Sequence, residues 1–289
     1  LSGKFHTEKI LSITTMLRCG KFDLPLDRPL IMGIVNLTPD SFSGDGLASS
    51  SRAVAHALAQ ITAGAQILDL GAESSRPGAI PMSLEEELSR LLPVLKALRD
   101  CGVPLSVDTY KPTVMRAAIA HGAAMINDIY ALRMPGALEV VAASDCALCL
   151  MHMQGEPLTM QQSPLYHDVV TEVREFLSDR VAAATASGIA PNRLVLDPGF
   201  GFGKTLQHNL QLLRRLPEIE VDGLPILAGL SRKSMLGTLT GQSVDCRLSA
   251  SIAAALLAAQ RGARILRVHD VAATRDALAV WQALENDTL

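Results

Sequence analysis

A single closed (β/α)8 barrel with a small N-terminal hairpin is the fold this sequence predicts, on three observations. Eight short segments rich in Val, Ile and Leu recur along the 289 residues, each ending in a polar tip. Stretches with helical spacing fill the gaps between them, and apolar strands alternating with helices mean a parallel sheet buried on both faces. No Pro/Gly/Ser-rich linker or low-complexity tract divides the chain, and the eight units take up about 240 residues, close to the ~250 of one barrel. An open doubly wound sheet is the alternative, because pattern reading can miscount strands by one or two.

Residues 16–24 come first, as a hairpin turning at Gly20-Lys21 and placed to plug the bottom of the barrel. The strand segments are 30–38, 66–74, 104–110, 125–131, 146–153, 193–198, 225–231 and 264–270. Residues 51–63, 83–100, 165–187 and 249–261 have the length and spacing of helices. The loops 36–51 and 73–83 are rich in Gly, Pro, Ser and Asp and longer than an ordinary βα loop, so they are expected to act as lids.

Composition supports a large core and narrows the function. Apolar residues make up 48% and charged residues 19%, which excludes disorder over most of the length. Aromatics are only 3%, so the core is built from Ala, Leu, Val and Ile. A net charge of −3 and a pI near 6.2 exclude a nucleic-acid binder that works by bulk basicity. Mean hydropathy is +0.25, yet the longest apolar run, 252–259, falls far short of the ~20 residues of a membrane helix. No apolar h-region follows the first residues, so no signal peptide is expected. The first residue is not Met, so residues 1–13 are expected to be an extension, either foreign to the domain or disordered. The five cysteines are odd in number and scattered, as free thiols in a reducing cytoplasm would be.

The polar tips carry the chemistry. They hold Asn36, Thr38 and Asp40; Glu73, Ser75 and Arg76; Asp108; Asn127 and Asp128; His152; Asp197; Ser231, Arg232 and Lys233; and Arg267, His269 and Asp270. In a parallel barrel this end of the strands is where reactions occur. Alternation along each strand groups Asn36 with Ile34, Asp108 with Ser106, Asp197 with Val195, Lys233 with Ser231 and Gly229, and His269 with Arg267. If these faces point inward, Asp108, Asn127, Asp197 and Lys233 form a donor–acceptor set suited to the edge of a flat amino-oxo heterocycle. A structural ion-pair network in the barrel mouth is the competing reading. Arg76, Arg267 and His269 with Asn36 suit an anion, with or without a divalent metal.

Three near-motifs are set aside. Residues 198–205 end like a phosphate-binding P-loop, but Pro198 stands where its first Gly belongs and the segment follows the sixth strand. Cys146 and Cys149 fall on opposite faces of a strand, against redox or zinc use. His152 and His269 lack a third metal ligand in sequence, and Asp69, facing inward on the second strand, is read as a structural acceptor.

Eight motifs in order then carry a family resemblance. Residues 31–43 (IMGIVNLTPDSFS), 73–78 (ESSRPG), 106–109 (SVDT), 126–129 (INDI), 150–155 (LMHMQG), 196–204 (LDPGFGFGK), 231–234 (SRKS) and 267–270 (RVHD) are similar to the signatures of the bacterial dihydropteroate synthases, in the pterin-binding enzyme family. The match runs from about residue 16 to 285. It implies a TIM barrel over 14–289 and a cytoplasmic, homodimeric transferase of folate biosynthesis. Such an enzyme joins 6-hydroxymethyl-7,8-dihydropterin diphosphate to 4-aminobenzoate, releases diphosphate and is blocked by sulfonamides; neither nucleic acid nor membrane is a partner.

The resemblance also implies roles by position. Asp108, Asn127, Asp197 and Lys233 would hold the pterin, with Met151 and Phe202 on its ring and Arg267 stacked on a face. Asn36, through Mg2+, would bind the diphosphate with Ser75, Arg76, Arg267 and His269. Phe42, Ser75, Pro77 and Ser231 would lie near the aminobenzoate. Arg76, Lys233, Arg267 and His269 would be the catalytic set. The chemistry asks for stabilised charge and a positioned amine rather than a nucleophile.

Two departures from the family pattern are visible: Ser75 stands where Thr is usual, and Gly44-Asp45 reverses the usual Asp-Gly order. Two rival readings differ in function. A pterin-binding methyltransferase domain serving a corrinoid would not need Asn36, Arg76, Arg267 and His269, all present here. A paralogue that binds pterin without turning it over is disfavoured by intact Arg76, Asp197 and Lys233.

Overall fold

The eight strands close on themselves. The computed structural model describes residues 15–37, 46–74 and 78–285. Ahead of the barrel, β1 (Met16–Cys19) and β2 (Phe22–Pro25) pair antiparallel about the Gly20-Lys21 turn. The barrel strands are β3 (Leu30–Asn36), β4 (Ile67–Gly71), β5 (Leu105–Asp108), β6 (Met125–Asp128), β7 (Ala147–Met151), β8 (Leu194–Asp197), β9 (Ile226–Ala228) and β10 (Ala263–Val268). Neighbours in sequence are neighbours in the barrel sheet, all its strand pairs are parallel, and β10 returns to β3. The open-sheet alternative is therefore excluded. Each predicted segment contains or overlaps one strand; the strands are shorter, ending on polar tips such as Asn36, Asp108 and Asp197 or, as at His152, Ser231 and His269, shortly before them.

Burial on both faces explains the continuous apolar runs. One face points outward under the helices: α1 (Gly46–Ala63), α2 (Leu84–Leu98), α3 (Pro112–Ala120), α4 (Ala137–Ala142), α5 (Val169–Ala186), α6 (Leu206–Arg214), α7 (Ser234–Thr240), α8 (Leu248–Gln260) and α9 (Val271–Glu285). The other face fills the barrel, where Leu30, Met32, Ile67, Met125, Cys149, Val195, Leu227 and Ile265 meet Leu17 and Cys19 of the hairpin. The hairpin closes the N-terminal end: Cys19 Sγ donates to Ala124 O and Gly20 N–H to Asp145 O. With its floor sealed by apolar packing, the barrel is open at the end where the strands carry their polar residues.

Two helix starts differ from the sequence reading. Helix α1 begins at Gly46 rather than 51; the Ser49-Ser50-Ser51 run reads as loop in sequence but is its first turns. Helix α5 begins at Val169 rather than 165, because the Glu172 carboxylate accepts from His167 and Asp168 N–H and fixes the chain just ahead of it. Helix α2 starts where Ser83 Oγ accepts from Glu86 N–H, with three glutamates in the first turn.

Candidate active site

Strand register builds the site in layers. Asn36, Gly71, Asp108 and Asn127 lie at one level on β3 to β6. One layer deeper is Asp69, fully buried and level with Ser106. Its Oδ1 accepts from Ser106 Oγ at 2.6 Å, and its Oδ2 from Arg267 Nε at 2.6 Å and Asn127 Nδ2 at 3.2 Å. Arg267, reaching across from β10, also places Nη2 3.1 Å from Asp108 Oδ2. Burial works against its charge, but the Asp69 and Asp108 carboxylates outweigh that and hold the guanidinium protonated. Burial raises the Asp108 carboxyl, with Arg267 opposing and Asp69 adding to the shift.

The Asn127 orientation follows from this pairing. Because its Nδ2 donates to Asp69, its Oδ1 is the free end, and that oxygen is buried with no hydrogen-bond partner. Buried polar atoms in native proteins are nearly always satisfied. An unpaired acceptor in a barrel mouth therefore marks a place for a ligand's donor.

Asp197 and Lys233 occupy the facing wall. Asp197 Oδ1 accepts from Gly199 N–H at 2.7 Å. Burial raises its pKa, and the Gly199 N–H, Lys233, Arg267 and Lys204 pull it back. Lys233 Nζ donates to Phe200 O and lies 4.3 Å from the centre of the Phe202 ring. Burial lowers the Lys233 amine to about 8, with Asp197 opposing. Met151 is buried with Ile129, Met153 and Met160, with Phe202 packed on that cluster, making an apolar wall between the charged groups. Ser231 Oγ and His269 Nδ1 are 3.0 Å apart, and His269 N–H donates to the same hydroxyl at 3.2 Å, which ties the ends of β9 and β10 together.

The structure thus brings Asp108, Asn127, Met151, Asp197, Phe202, Lys233 and Arg267 to one end of the barrel, with Asn36, Ser231 and His269 on the same rim. Phe42, Ser75, Arg76 and Pro77 lie outside the described residues, as do the central parts of both expected lids, 38–45 and 75–77. Of the second lid, Gly78 N–H donates to Pro157 O at 3.1 Å. Beside Asp108, an opening of about 590 Å3 that merges with solvent is lined by Ile129, Tyr110, Tyr130, Pro157 and Leu158. At its edge Lys111 Nζ binds Glu73, Glu87 and the Met82 carbonyl, a closed set that fixes the root of the second lid to α2 and the chain after β5.

Several residues have other duties than their sequence position suggests. Asp69, read as a structural acceptor, is the hub joining Asn127 and Arg267. Asp128 faces away from the barrel interior: its Oδ1 and Oδ2 accept from Tyr130 and Leu132 N–H, holding a turn in which Ala131 and Leu132 have positive φ. Asp270 pairs with Arg232 at 2.7 Å. Cys146 packs in the outer layer and Cys149 inside the barrel, as strand alternation requires; all five cysteines are free. Lys204 and His152, set aside in sequence, are buried together just behind Asp197.

Comparison with known proteins gives the family and the fold relatives of the chain. The family model for pterin binding enzymes matches residues 32–269. A dihydropteroate synthase of Neisseria meningitidis serogroup C is 53% identical over 273 residues, covering 92% of this chain and 96% of that one. A structure of Xanthomonas albilineans dihydropteroate synthase with 4-aminobenzoic acid superposes with a TM-score of 0.88 at 54% identity, covering 94% of this chain and 98% of that one. The Yersinia pestis dihydropteroate synthase in a sulfonamide drug complex gives a TM-score of 0.89 at 47% identity, covering 93% of this chain and 99% of that one.

Proposed function

Since the chain belongs to the pterin-binding enzyme family, among its dihydropteroate synthases, we propose how its own residues divide the reaction. The substrates are a dihydropterin diphosphate and 4-aminobenzoate, and sulfonamides compete for the second. The observation that carries the pterin assignment is the buried, unpartnered Asn127 carbonyl oxygen beside Asp108, opposite Asp197 and Lys233. A pterin edge offers an amino group and a ring N–H to these acceptors, and a carbonyl to the Lys233 ammonium.

In the reaction the methylene C–O bond breaks and its electron pair leaves with diphosphate. The arylamine nitrogen forms the new C–N bond and releases a proton. Positive charge grows on the pterin as the bond breaks, and the Asp108 and Asp197 carboxylates, buried and already oriented, stabilise it. Asp69 keeps Arg267 in place by ion pairing, so the guanidinium lies against the pterin without reorganising. Arg76, Ser75 and His269 hold the departing diphosphate, and Phe42, Ser75, Pro77 and Ser231 frame the arylamine.

A divalent ion fits this site only in part through protein. Among the described residues no three His, Cys, Asp or Glu side chains converge to hold a metal. The rim does offer the Asn36 amide at the level of Asp108. Mg2+ keeps waters and substrate oxygens in its shell, so Asn36 would be a protein ligand to an ion carried by the diphosphate. Bound there, Mg2+ would neutralise charge on the leaving group.

Two further assignments complete the reading. Unpaired cysteines support a reducing, cytoplasmic setting, and no described helix is long and apolar enough to cross a membrane. Leu239, Val244, Leu248 and Leu257 lie exposed along α7, α8 and the turn between them, which supports a homodimer through that face.

The decisive assay measures dihydropteroate formed from the dihydropterin diphosphate and labelled 4-aminobenzoate, with Mg2+ or with EDTA. Metal-dependent product suppressed by a sulfonamide is expected. Pterin binding by calorimetry without product would replace the synthase reading with that of a binding paralogue.

A further inference from the structure

The segment 198–204, whose sequence ends like a phosphate-binding loop, folds around its own lysine. Lys204 is 3% exposed. Its Nζ donates to Gly199 O and Phe202 O at 2.9 Å and lies 2.9 Å from His152 Nδ1, with His152 O at 3.4 Å. An ammonium carries three protons and no lone pair, so the charged form satisfies both carbonyls and an unprotonated His152 Nδ1. A neutral amine would fit only with the ring proton on His152 Nδ1, donated to the amine lone pair. In the charged form His152 Nδ1 is unprotonated and the ring proton is on Nε2. The imidazole packs edge-on against Phe176, ring centres 4.9 Å apart.

Two glycines make the cage possible. A Cβ at Gly199 would collide with the His152 carbonyl, and one at Gly203 with the Gln154 carbonyl; both residues have positive φ. The loop is pinned from the other side as Gly201 N–H donates to Asn209 Oδ1 at 2.7 Å, while Asn209 Nδ2 reaches Lys204 O and Thr205 O. From this one loop come the Gly199 N–H on Asp197, the Phe200 carbonyl on Lys233 and the Phe202 ring beneath that amine. The groups that orient the facing wall of the mouth therefore share one loop, with Lys204 as its buried internal support.

We infer that Lys204 is a positioning residue for the pterin: its ammonium holds the 198–204 loop in shape, and its charge adds to those of Lys233 and Arg267 in favour of the Asp197 carboxylate. This rests on the assignment of Asp197 and Lys233 to the pterin. Burial drives Asp197 toward its protonated form. The charges facing it are Lys233, Arg267 and Lys204. Its neighbour Cys149 is a neutral thiol, raised by burial, and His152 is neutral, lowered to about 2 by burial and by Lys204. Burial also lowers the Lys204 amine well below its usual value, with Asp197 opposing and Lys233 adding to the shift. Removing the Lys204 charge leaves Asp197 holding its proton to higher pH, so acid should abolish pterin binding earlier.

The test is dihydropterin affinity by calorimetry from pH 5 to 9, on the whole chain, for wild type, Lys204→Met and Asp197→Asn. Lys204→Met is expected to weaken binding about tenfold at pH 8 and to move the acid limb up by about one pH unit. The KM for 4-aminobenzoate at saturating pterin should stay within about twofold. An unchanged profile, or a loss equal at every pH, would overturn the inference. Should Lys204→Met not fold, nitrogen NMR of the native imidazoles decides: an unprotonated, hydrogen-bonded His152 Nδ1 throughout this range supports it, and a protonated Nδ1 refutes it. Asp197→Asn separates the two levels. If it binds dihydropterin like wild type, the pterin assignment itself fails; if it loses affinity while Lys204→Met keeps the wild-type profile, only this inference fails.

Discussion

Asp69 and Lys233 illustrate what single residues contribute. Asp69 is a charge in the middle of Ile-Leu-Asp-Leu-Gly, on the inward face. That signal is legible in sequence as an acceptor, but its partner Arg267 is 198 residues away and only barrel closure brings them together. Lys233 is recognisable by its motif, yet its altered acidity is a product of burial. Its amine, lowered from 10.5 to about 8, gives two pH effects of opposite sign. The ammonium donates to the pterin only below that value, so dihydropterin affinity is expected to fall as pH rises through about 8. In the free protein the folded state binds fewer protons than the unfolded chain between about 8 and 10.5, so stability should rise with pH across that window. Calorimetric titration and chemical denaturation, each from pH 7 to 10, measure the two. An affinity flat across that range would remove Lys233 from the pterin site.

At the level of elements, strands were readable and short helices were not. A strand buried on both faces announces itself as a continuous apolar run, and all eight do. Helices α4 and α7, with 6 and 7 residues, are too short for a 3.6-residue period to stand out from neighbouring turns. The rest of the site went unread for a related reason: the Lys204 cage and the Lys111 cluster are made by loops whose meeting depends on the barrel. The hairpin of β1 and β2 was legible from its turn at Gly20-Lys21, and its function as a plug can be tested on its own. Leu17 is fully buried among Leu30, Met32 and Met125 at the end of the barrel away from the site. Leu17→Ala should cost about 2–5 kcal/mol and lower Tm by roughly 5–15 °C, with KM for both substrates unchanged in thermal-shift and steady-state measurements. A loss of substrate affinity at temperatures where the variant is folded would mean that the plug shapes the mouth as well.

For the whole molecule, the proposed homodimer connects surface to site. Helix α8 is built almost entirely of Ala, Leu, Ser and Ile, and the exposed Leu239, Val244, Leu248 and Leu257 follow one another from α7 through the turn into it. Such a run of exposed apolar side chains supports the proposed association face, and a two-fold axis lets one such face bury its own copy. Helix α7 begins directly after Lys233, and Arg247, at the start of α8, donates to the Arg232 carbonyl at 3.0 Å. Bracing this face therefore braces the chain that carries Lys233. Sedimentation should give twice the 30.7 kDa chain mass, with Tm rising with protein concentration. Leu248→Glu together with Leu257→Glu should yield a folded monomer, because charge on both copies of the patch opposes its closure. The monomer is expected to bind dihydropterin several-fold more weakly, since the chain bearing Lys233 loses its outer support. Wild-type protein that sediments as a monomer at its highest soluble concentration would refute the dimer. A monomeric double variant with unaltered dihydropterin affinity would show instead that the barrel alone holds Lys233 in place.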